Sequence, residues 1–304
     1  MLDISLVGTG GMMPLPNRFL SSAILRYKTN TILIDCGEGT QVSLKLLGWG
    51  FKNIDTICLT HFHADHVSGL PGLLHTIANS GKTTPMTIIG PKGLQSTIES
   101  LLVIARNLPF DIIYKDIGGG EKIEINEITI STLSVDHRTA CLAYCIQTHR
   151  AGKFNIKKAI ELGLPPTYYS ILQRGEPVVY NGQTIQSSAV MGPPRVGFKI
   201  AYCTDSRPIE DLCSFAEGAD LFICEGIYGD DEKLSKAQEY KHMLFSEAAV
   251  LAKSAGVKEL WLTHYSPSLT TPEEFLHVAQ AIFPNTHVGY DRKTATLGYS
   301  SSDQ

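Results

Sequence analysis

The 304-residue chain lacks a long hydrophobic run. No stretch approaches the roughly 18–20 apolar residues that a bilayer-spanning helix needs. A membrane-spanning helix is therefore not expected. The start, Met1-Leu2-Asp3-Ile4-Ser5-Leu6-Val7-Gly8, has no basic stretch ahead of a long apolar one. It reads as a first strand and not as an export signal. No C-x-x-C pair is present. The cysteines (Cys36, Cys58, Cys141, Cys145, Cys203, Cys213 and Cys224) are odd in number and scattered, and most fall in apolar, strand-like runs. That argues against a disulfide framework and a zinc knuckle. It points to small buried thiols in a reducing compartment, the cytoplasm. A basic excess is missing too: the net charge is −4. A surface that coats nucleic acid uniformly is not expected. There is no internal repeat or low-complexity tract.

What is present is a globular composition, 43% hydrophobic and 18% charged, enough for one large domain or two small ones. Charge is uneven along it. Residues 150–199 hold Arg150, Lys153, Lys157, Lys158, Arg174, Arg195 and Lys199 against Glu161 and Glu176. This segment is +5 and the remainder −9. A local basic segment can neutralise phosphates even on an acidic chain; the plainer alternative is a solvated loop.

Short β-rich runs alternate with helical patterns. Strands are expected at 2–7, 23–28, 31–35, 54–60, 86–90, 111–115, 121–126, 128–134, 142–148, 198–203, 220–224, 258–263, 286–290 and 295–299. Helices are expected at 39–48, 91–107, 155–163, 208–215, 245–255 and 272–282. Pro272 and two acids open the last helix, and Gly256 closes the one before it. Many strands with interspersed helices predict two sheets covered by helices. Residues 150–195 stand apart. Gly-Leu-Pro-Pro (163–166), Arg-Gly-Glu-Pro (174–177), Asn-Gly (181–182) and Gly-Pro-Pro-Arg (192–195) argue for an insertion leaving the body.

The densest chemistry is at Thr60-His61-Phe62-His63-Ala64-Asp65-His66, after the apolar run 54–60. A lone histidine is usually a packing or surface residue. Here His61, His63, Asp65 and His66 stand within six residues, at a strand end. Neutral imidazoles and a carboxylate are good zinc ligands. Four on one turn exceed what one tetrahedral ion easily uses. The economical reading is two ions, roughly 3.5–4 Å apart, sharing and ionising a water. More ligands are then needed. His137, Asp205 and His264 each follow a strand-like run.

The pattern H-x-H-x-D-H after an apolar strand resembles the metallo-β-lactamase superfamily. Its continuation Gly69-Leu70-Pro71-Gly72-Leu73-Leu74 resembles the ribonuclease Z family, endonucleases that trim the 3′ end of precursor tRNA. The resemblance spans the chain, to Ala248-Ala249-Val250 and Leu260-Trp261-Leu262-Thr263-His264-Tyr265-Ser266-Pro267. It implies a single domain over 1–304, a four-layer αββα sandwich, with 150–195 as a protruding arm that grips tRNA. It implies two zinc ions per chain. His61, His63 and His137 would hold one, Asp65, His66 and His264 the other, and Asp205 would bridge them. Asp65 would also help position the attacking water. Asp35, in Ile34-Asp35-Cys36-Gly37, would orient a ligand imidazole from behind.

Cleavage to 3′-hydroxyl and 5′-phosphate ends requires a proton for the departing O3′. His242, in Tyr240-Lys241-His242-Met243-Leu244, matches the family's proton-donor motif, with Leu244 where threonine is usual. Glu225 could orient and charge it. Arg18, with Lys153, Lys157, Lys158 and Arg174 of the arm, are the candidate tRNA contacts. At the arm's turn Thr167-Tyr168 stands where the family often has Gly-Pro. The resemblance also implies a homodimer in which one arm serves the other subunit's site. Two competing readings are a hydrolase of a smaller phosphodiester and a nucleic-acid-binding protein without catalysis; the second predicts missing ligands, and none is missing.

Overall fold

The computed structural model describes residues 1–193 and 195–299; Pro194 of the expected insertion and residues 300–304 lie outside them. Two seven-stranded sheets form the body. In spatial order the first comprises Thr294–Leu297, Leu2–Gly8, Ser22–Tyr27, Asn30–Ile34, Thr56–Cys58, Met86–Gly90 and Ile112–Asp116. The second comprises Thr286–Val288, Leu260–Thr263, Leu221–Glu225, Arg195–Cys203, Leu142–Arg150, Ile128–Ser134 and Lys122–Ile125.

Side-chain alternation builds the layers, because successive strand residues face opposite sides. Ile32 and Ile34 enter the core shared by the two sheets, with Ile4, Tyr144, Ile146, Ile200 and Ile223. Their neighbour Leu33 faces outward and packs with Leu44, Leu70, Leu73, Leu74 and Ile77 from helices on the first sheet. On the other side, Phe222 and Cys224 face Ala248, Ala249 and Ala252 of the helix Phe245–Ser254. The layers therefore run helix, sheet, sheet, helix, as expected. Strands buried on both faces carry continuous apolar runs.

All expected strands are present within a few residues. The run 91–107 is shorter as a helix: Leu94–Leu101, then a 3-10 turn to Ile104. Leu70–Asn79 is a helix that the sequence pattern did not announce. Pro71 falls in its first turn, where the missing N–H costs nothing. Leu70, Leu73, Leu74 and Ile77 then form one buried face. Each such side chain contributes roughly 1.5–3 kcal/mol when fully buried.

The insertion leaves after Arg150 and returns at Arg195, which pair across two antiparallel strands. It holds helices Ile156–Glu161 and Tyr169–Gln173 and a hairpin, Val178–Tyr180 with Gln183–Ile185. Ala159, Leu164, Leu172, Val178 and Val190 give it a small core of its own. At its base two backbones nearly touch: a Cβ on Gly152 would lie 1.9 Å from the Gly192 carbonyl oxygen.

Candidate metal centre and active site

Strand direction collects the site. Ile128–Ser134 and Arg195–Cys203 both run antiparallel to Leu142–Arg150, and so parallel to each other. Leu221–Glu225 and Leu260–Thr263 continue that direction. Their carboxyl ends share one edge of the sandwich. His137, Asp205, Glu225 and His264 stand at or just beyond those ends. The matching edge of the first sheet brings Asp35 and the turn 60–66. Asp35, Asp205 and His264 each take a left-handed backbone, with φ of 55°, 48° and 57°. Asp and His tolerate that region better than most residues, at roughly 1–3 kcal/mol each.

The structure brings all seven expected ligands together in two groups. His61, His63 and His137 face Asp205, and His66, Asp65 and His264 form the other set. Asp205 addresses both. Its Oδ2 is 3.7 Å from Nε2 of His61 and of His137. Its Oδ1 is 3.1 Å from Nε2 of His66 and of His264. Asp65 Oδ2 is 3.5 Å from His264 Nε2 and accepts the Met12 N–H at 2.7 Å.

Polar groups behind the ring fix these rings. His66 Nδ1 meets Asp35 Oδ2 at 2.8 Å, and Asp35 Oδ1 accepts the Thr60 N–H at 2.8 Å. His137 Nδ1 faces the Lys241 carbonyl at 3.3 Å. Gly11 lies flat against His264: a Cβ there would be 2.7 Å from its Cε1. With their Nδ1 atoms so engaged, His66 and His137 turn Nε2 inward. Two facing nitrogens, His66 Nε2 and His264 Nε2, stand only 3.3 Å apart. Among the described residues, His61 Nε2 and Asp205 Oδ1 are buried without a hydrogen-bond partner. Buried polar atoms are nearly always paired, so this donor set fits cations.

Electrostatics divides the imidazoles: at His66 and His264 the Asp205 carboxylate outweighs burial and raises the pKa, whereas at His61 burial prevails. Burial, then the neighbouring His66, pushes the His61 imidazole down to about 2. Burial opposes the charge on Asp205, but His264, His66 and His61 outweigh it and hold the carboxyl well below its ordinary range.

His242 and Glu225 meet beside the cluster. His242 Nδ1 is 2.9 Å from Glu225 Oε2, and Glu225 Oε1 accepts the Ser206 N–H at 2.5 Å. Burial works against the imidazolium, yet the Glu225 carboxylate prevails and raises the His242 pKa. His242 could also join Asp205 and His264 in holding an ion; its Nδ1 is already committed to Glu225.

The remaining predicted residues fall elsewhere. Lys153, Lys157 and Lys158 are exposed on the arm, and Arg174 is paired with Glu176 at 2.9 Å. Arg18 is turned into the protein: its guanidinium donates to the carbonyls of Leu269 and Thr270 at 2.6 and 2.9 Å. Sequence reading missed Arg207. It forms an ion pair with Glu247 and donates to the His242 carbonyl at 2.5 Å. It also missed the helix Leu234–Tyr240 and Arg138, which share a cavity with the candidate ligands. Met12, Arg138, Tyr228, Lys236 and Tyr240 share with the ligands a cavity of about 420 Å³.

A family model described as anti-Pycsar protein Apyc1 matches residues 2–147. Ribonuclease Z of Lachnoclostridium phytofermentans is 48% identical over 304 residues, covering 100% of both chains. Ribonuclease Z of Clostridium kluyveri is 52% identical, covering 98% of this chain and 99% of the relative. Among solved structures, the short form of human tRNase Z superposes with a TM-score of 0.71 at 22% identity, covering 98% of this chain and 100% of that one. The metallo-β-lactamase fold protein YhfI from Bacillus subtilis gives 0.70 at 20% identity, covering 97% and 100%. These two likenesses concern the fold. Full-length identity near one half concerns more: the chain belongs to the ribonuclease Z family, metal-dependent endoribonucleases of the metallo-β-lactamase fold.

Proposed function

We propose that the chain is a zinc-dependent endoribonuclease that removes the 3′ trailer of precursor tRNA, leaving 3′-hydroxyl and 5′-phosphate ends. The observation that carries this reading is Asp205, with one carboxylate oxygen for each of two ligand sets. His61, His63 and His137 would hold one zinc, Asp65, His66 and His264 the other, with Asp205 shared. Bound there, the ions would supply an activated water and neutralise charge on the attacked phosphodiester.

The chain's own residues do the rest. Asp35 and the Lys241 carbonyl keep the His66 and His137 rings aimed. Asp65, held by the Met12 N–H, helps position the attacking water. The P–O3′ bond breaks and phosphorus keeps the water's oxygen on the trailer's 5′-phosphate. O3′ leaves with the proton of His242, which Glu225 orients.

Lys153, Lys157, Lys158 and Arg174 of 150–195 would contact tRNA phosphates, making that insertion a substrate-binding arm on a single 1–304 domain. The arm joins at the Arg150 end of Leu142–Arg150, while the Leu142 end donates to the Thr60 carbonyl beside the cluster. Roughly 27 Å of strand separate the two. That supports a homodimer in which an arm serves the partner's site. Arg18 is better assigned to bracing the loop at 269–270 than to gripping phosphate. No helix of the described residues is long and apolar enough to cross a membrane; we place the enzyme in the cytoplasm with its substrate.

A second reading, hydrolysis of a smaller phosphodiester, is favoured by the cavity of about 420 Å³, which lies within the usual size range of small-ligand sites. Incubating purified protein with a precursor tRNA and mapping the product ends tests the choice. The leading reading expects one cut at the trailer, with the stated ends. An intact precursor alongside rapid turnover of small phosphodiesters would select the second.

A further inference from the structure

We propose that the helix Leu234–Tyr240 and Arg138 wall a nucleoside subsite, which takes the ribonucleotide whose O3′ departs. The Arg138–Tyr240 stack is its platform. This rests on the reading above, in which His242 protonates the leaving oxygen.

The cavity extends past the metal cluster to Ile227, Tyr228, Lys236, Tyr240 and Ser268. None of these is needed to hold a metal. Arg138 lies over Tyr240, its guanidinium carbon 4.8 Å from the ring centroid. Its Nη2 donates to the Glu239 carbonyl at 2.7 Å, which fixes the plane of the fork. Both residues are exposed on the cavity. A delocalised planar cation held on an aromatic ring offers a flat surface of the kind on which nucleobases stack. Such stacking tolerates any base, because every base has a π-face. Lys236 is exposed on the same helix, its ammonium 5.3 Å from the Tyr228 centroid, and suits a phosphate.

Chain connectivity decides which nucleotide belongs there. His242 follows Tyr240 by two residues, and its N–H donates to the Ala237 carbonyl at 2.8 Å. Ala237 is buried with Ile227, Tyr228 and Leu244. The subsite wall and His242 are therefore one packed unit. The oxygen that takes the His242 proton is O3′, so its ribose lies on this side. The trailer nucleotide, joined to phosphorus through O5′, points away.

Single-turnover cleavage of precursor tRNAs carrying one abasic ribonucleotide tests this. On the intact precursor, Tyr240→Ala should lower kcat/KM about tenfold, within the range of lost base stacking. Tyr240→Phe should keep most of the rate. With the abasic site immediately 5′ of the scissile bond, the Tyr240→Ala penalty should shrink towards one. With it immediately 3′, the penalty should persist. A penalty that follows the 3′ nucleotide, that persists on the 5′-abasic substrate, or that is absent from the intact one overturns the proposal. Arg138→Gln is read the same way, should Tyr240→Ala fold poorly. If the wild-type enzyme leaves every precursor uncut, the functional reading itself has failed, which is a different result.

Discussion

Glu225 holds His242 by its imidazole, 2.9 Å from Nδ1, while Arg207 holds the same residue by its backbone carbonyl at 2.5 Å. The two anchors come from neighbouring parallel strands and their exits. Arg207 is bound in turn to Glu247, whose carboxylate accepts the Leu244 N–H at 2.9 Å. His242 is thus fixed at both ends, with its Nε2 edge left for chemistry.

His242→Ala should retain its metal and still bind precursor tRNA, yet cleave roughly 10²–10⁴-fold more slowly. On a p-nitrophenyl phosphodiester, whose leaving group needs little protonation, the loss should be much smaller. Glu225→Gln should follow the same pattern more mildly. Rate measurements on both substrates, with metal analysis, decide it. Metal loss, or equal impairment on the two substrates, would place His242 among the ligands or the scaffold.

Arg207→Ala leaves the Glu247 carboxylate and the His242 carbonyl short of a donor. A destabilisation of about 1–3 kcal/mol is expected from such a loss. Its kinetic effect should resemble that of His242→Ala in being larger on RNA than on the p-nitrophenyl substrate. Thermal melts with paired kinetics check this; equal loss on both substrates would mark a purely structural residue.

Purified protein should carry close to two transition-metal ions per chain, mostly zinc, and chelation should abolish cleavage. Elemental analysis of a folded, active sample is the measurement. One ion or none would refute the two-site reading.

Asp35→Asn should weaken metal binding without removing a ligand. The Asp35 carboxylate serves His66 Nδ1 and the Thr60 N–H together. Outer partners of this kind are worth about 10–100-fold in metal affinity. Competition with a zinc indicator chelator would read it; an unchanged affinity would make Asp35 a turn residue only.

Deleting residues 155–190 should weaken tRNA binding and flatten its salt dependence, by roughly 0.7–0.9 in log–log slope per lost phosphate contact. Hydrolysis of a small chromogenic phosphodiester should survive. Parallel loss of both activities would show the segment to be structural.

The sheets and the convergence of the candidate ligands were legible because their signals are local. A continuous apolar run such as Ile32, Leu33 and Ile34 announces a strand buried on both faces, and the candidate ligands crowd into one short motif or close a strand. The helix Leu70–Asn79 was hidden by Gly69, Pro71 and Gly72, residues that usually punctuate loops. Leu234–Tyr240 was hidden for the opposite reason: only Ala237 is buried, so there is no apolar stripe to read. Arg207 and Glu247 are far apart in sequence. The one local clue, a helix start with Glu247 at its third position, was masked because Leu244 has no side-chain acceptor for a capping box. The orientation of Arg18 was likewise invisible, since its carbonyl partners lie some 250 residues away.

The left-handed corners at Asp35, Asp205 and His264 also divide the molecule by mobility. Each corner is tied into strand exits: the Asp35 N–H to the Cys58 carbonyl, the Ser206 N–H to Glu225 Oε1, and the Tyr265 N–H to the Thr9 carbonyl. Amides of this kind exchange with solvent only when a large cooperative unit opens. The exposed helix Leu234–Tyr240 and the arm with its separate small core can open locally at far less cost. Hydrogen exchange is therefore expected to be slower at the three corners than at the solvent-facing amides of Leu234–Tyr240, of which only Ala237 is buried.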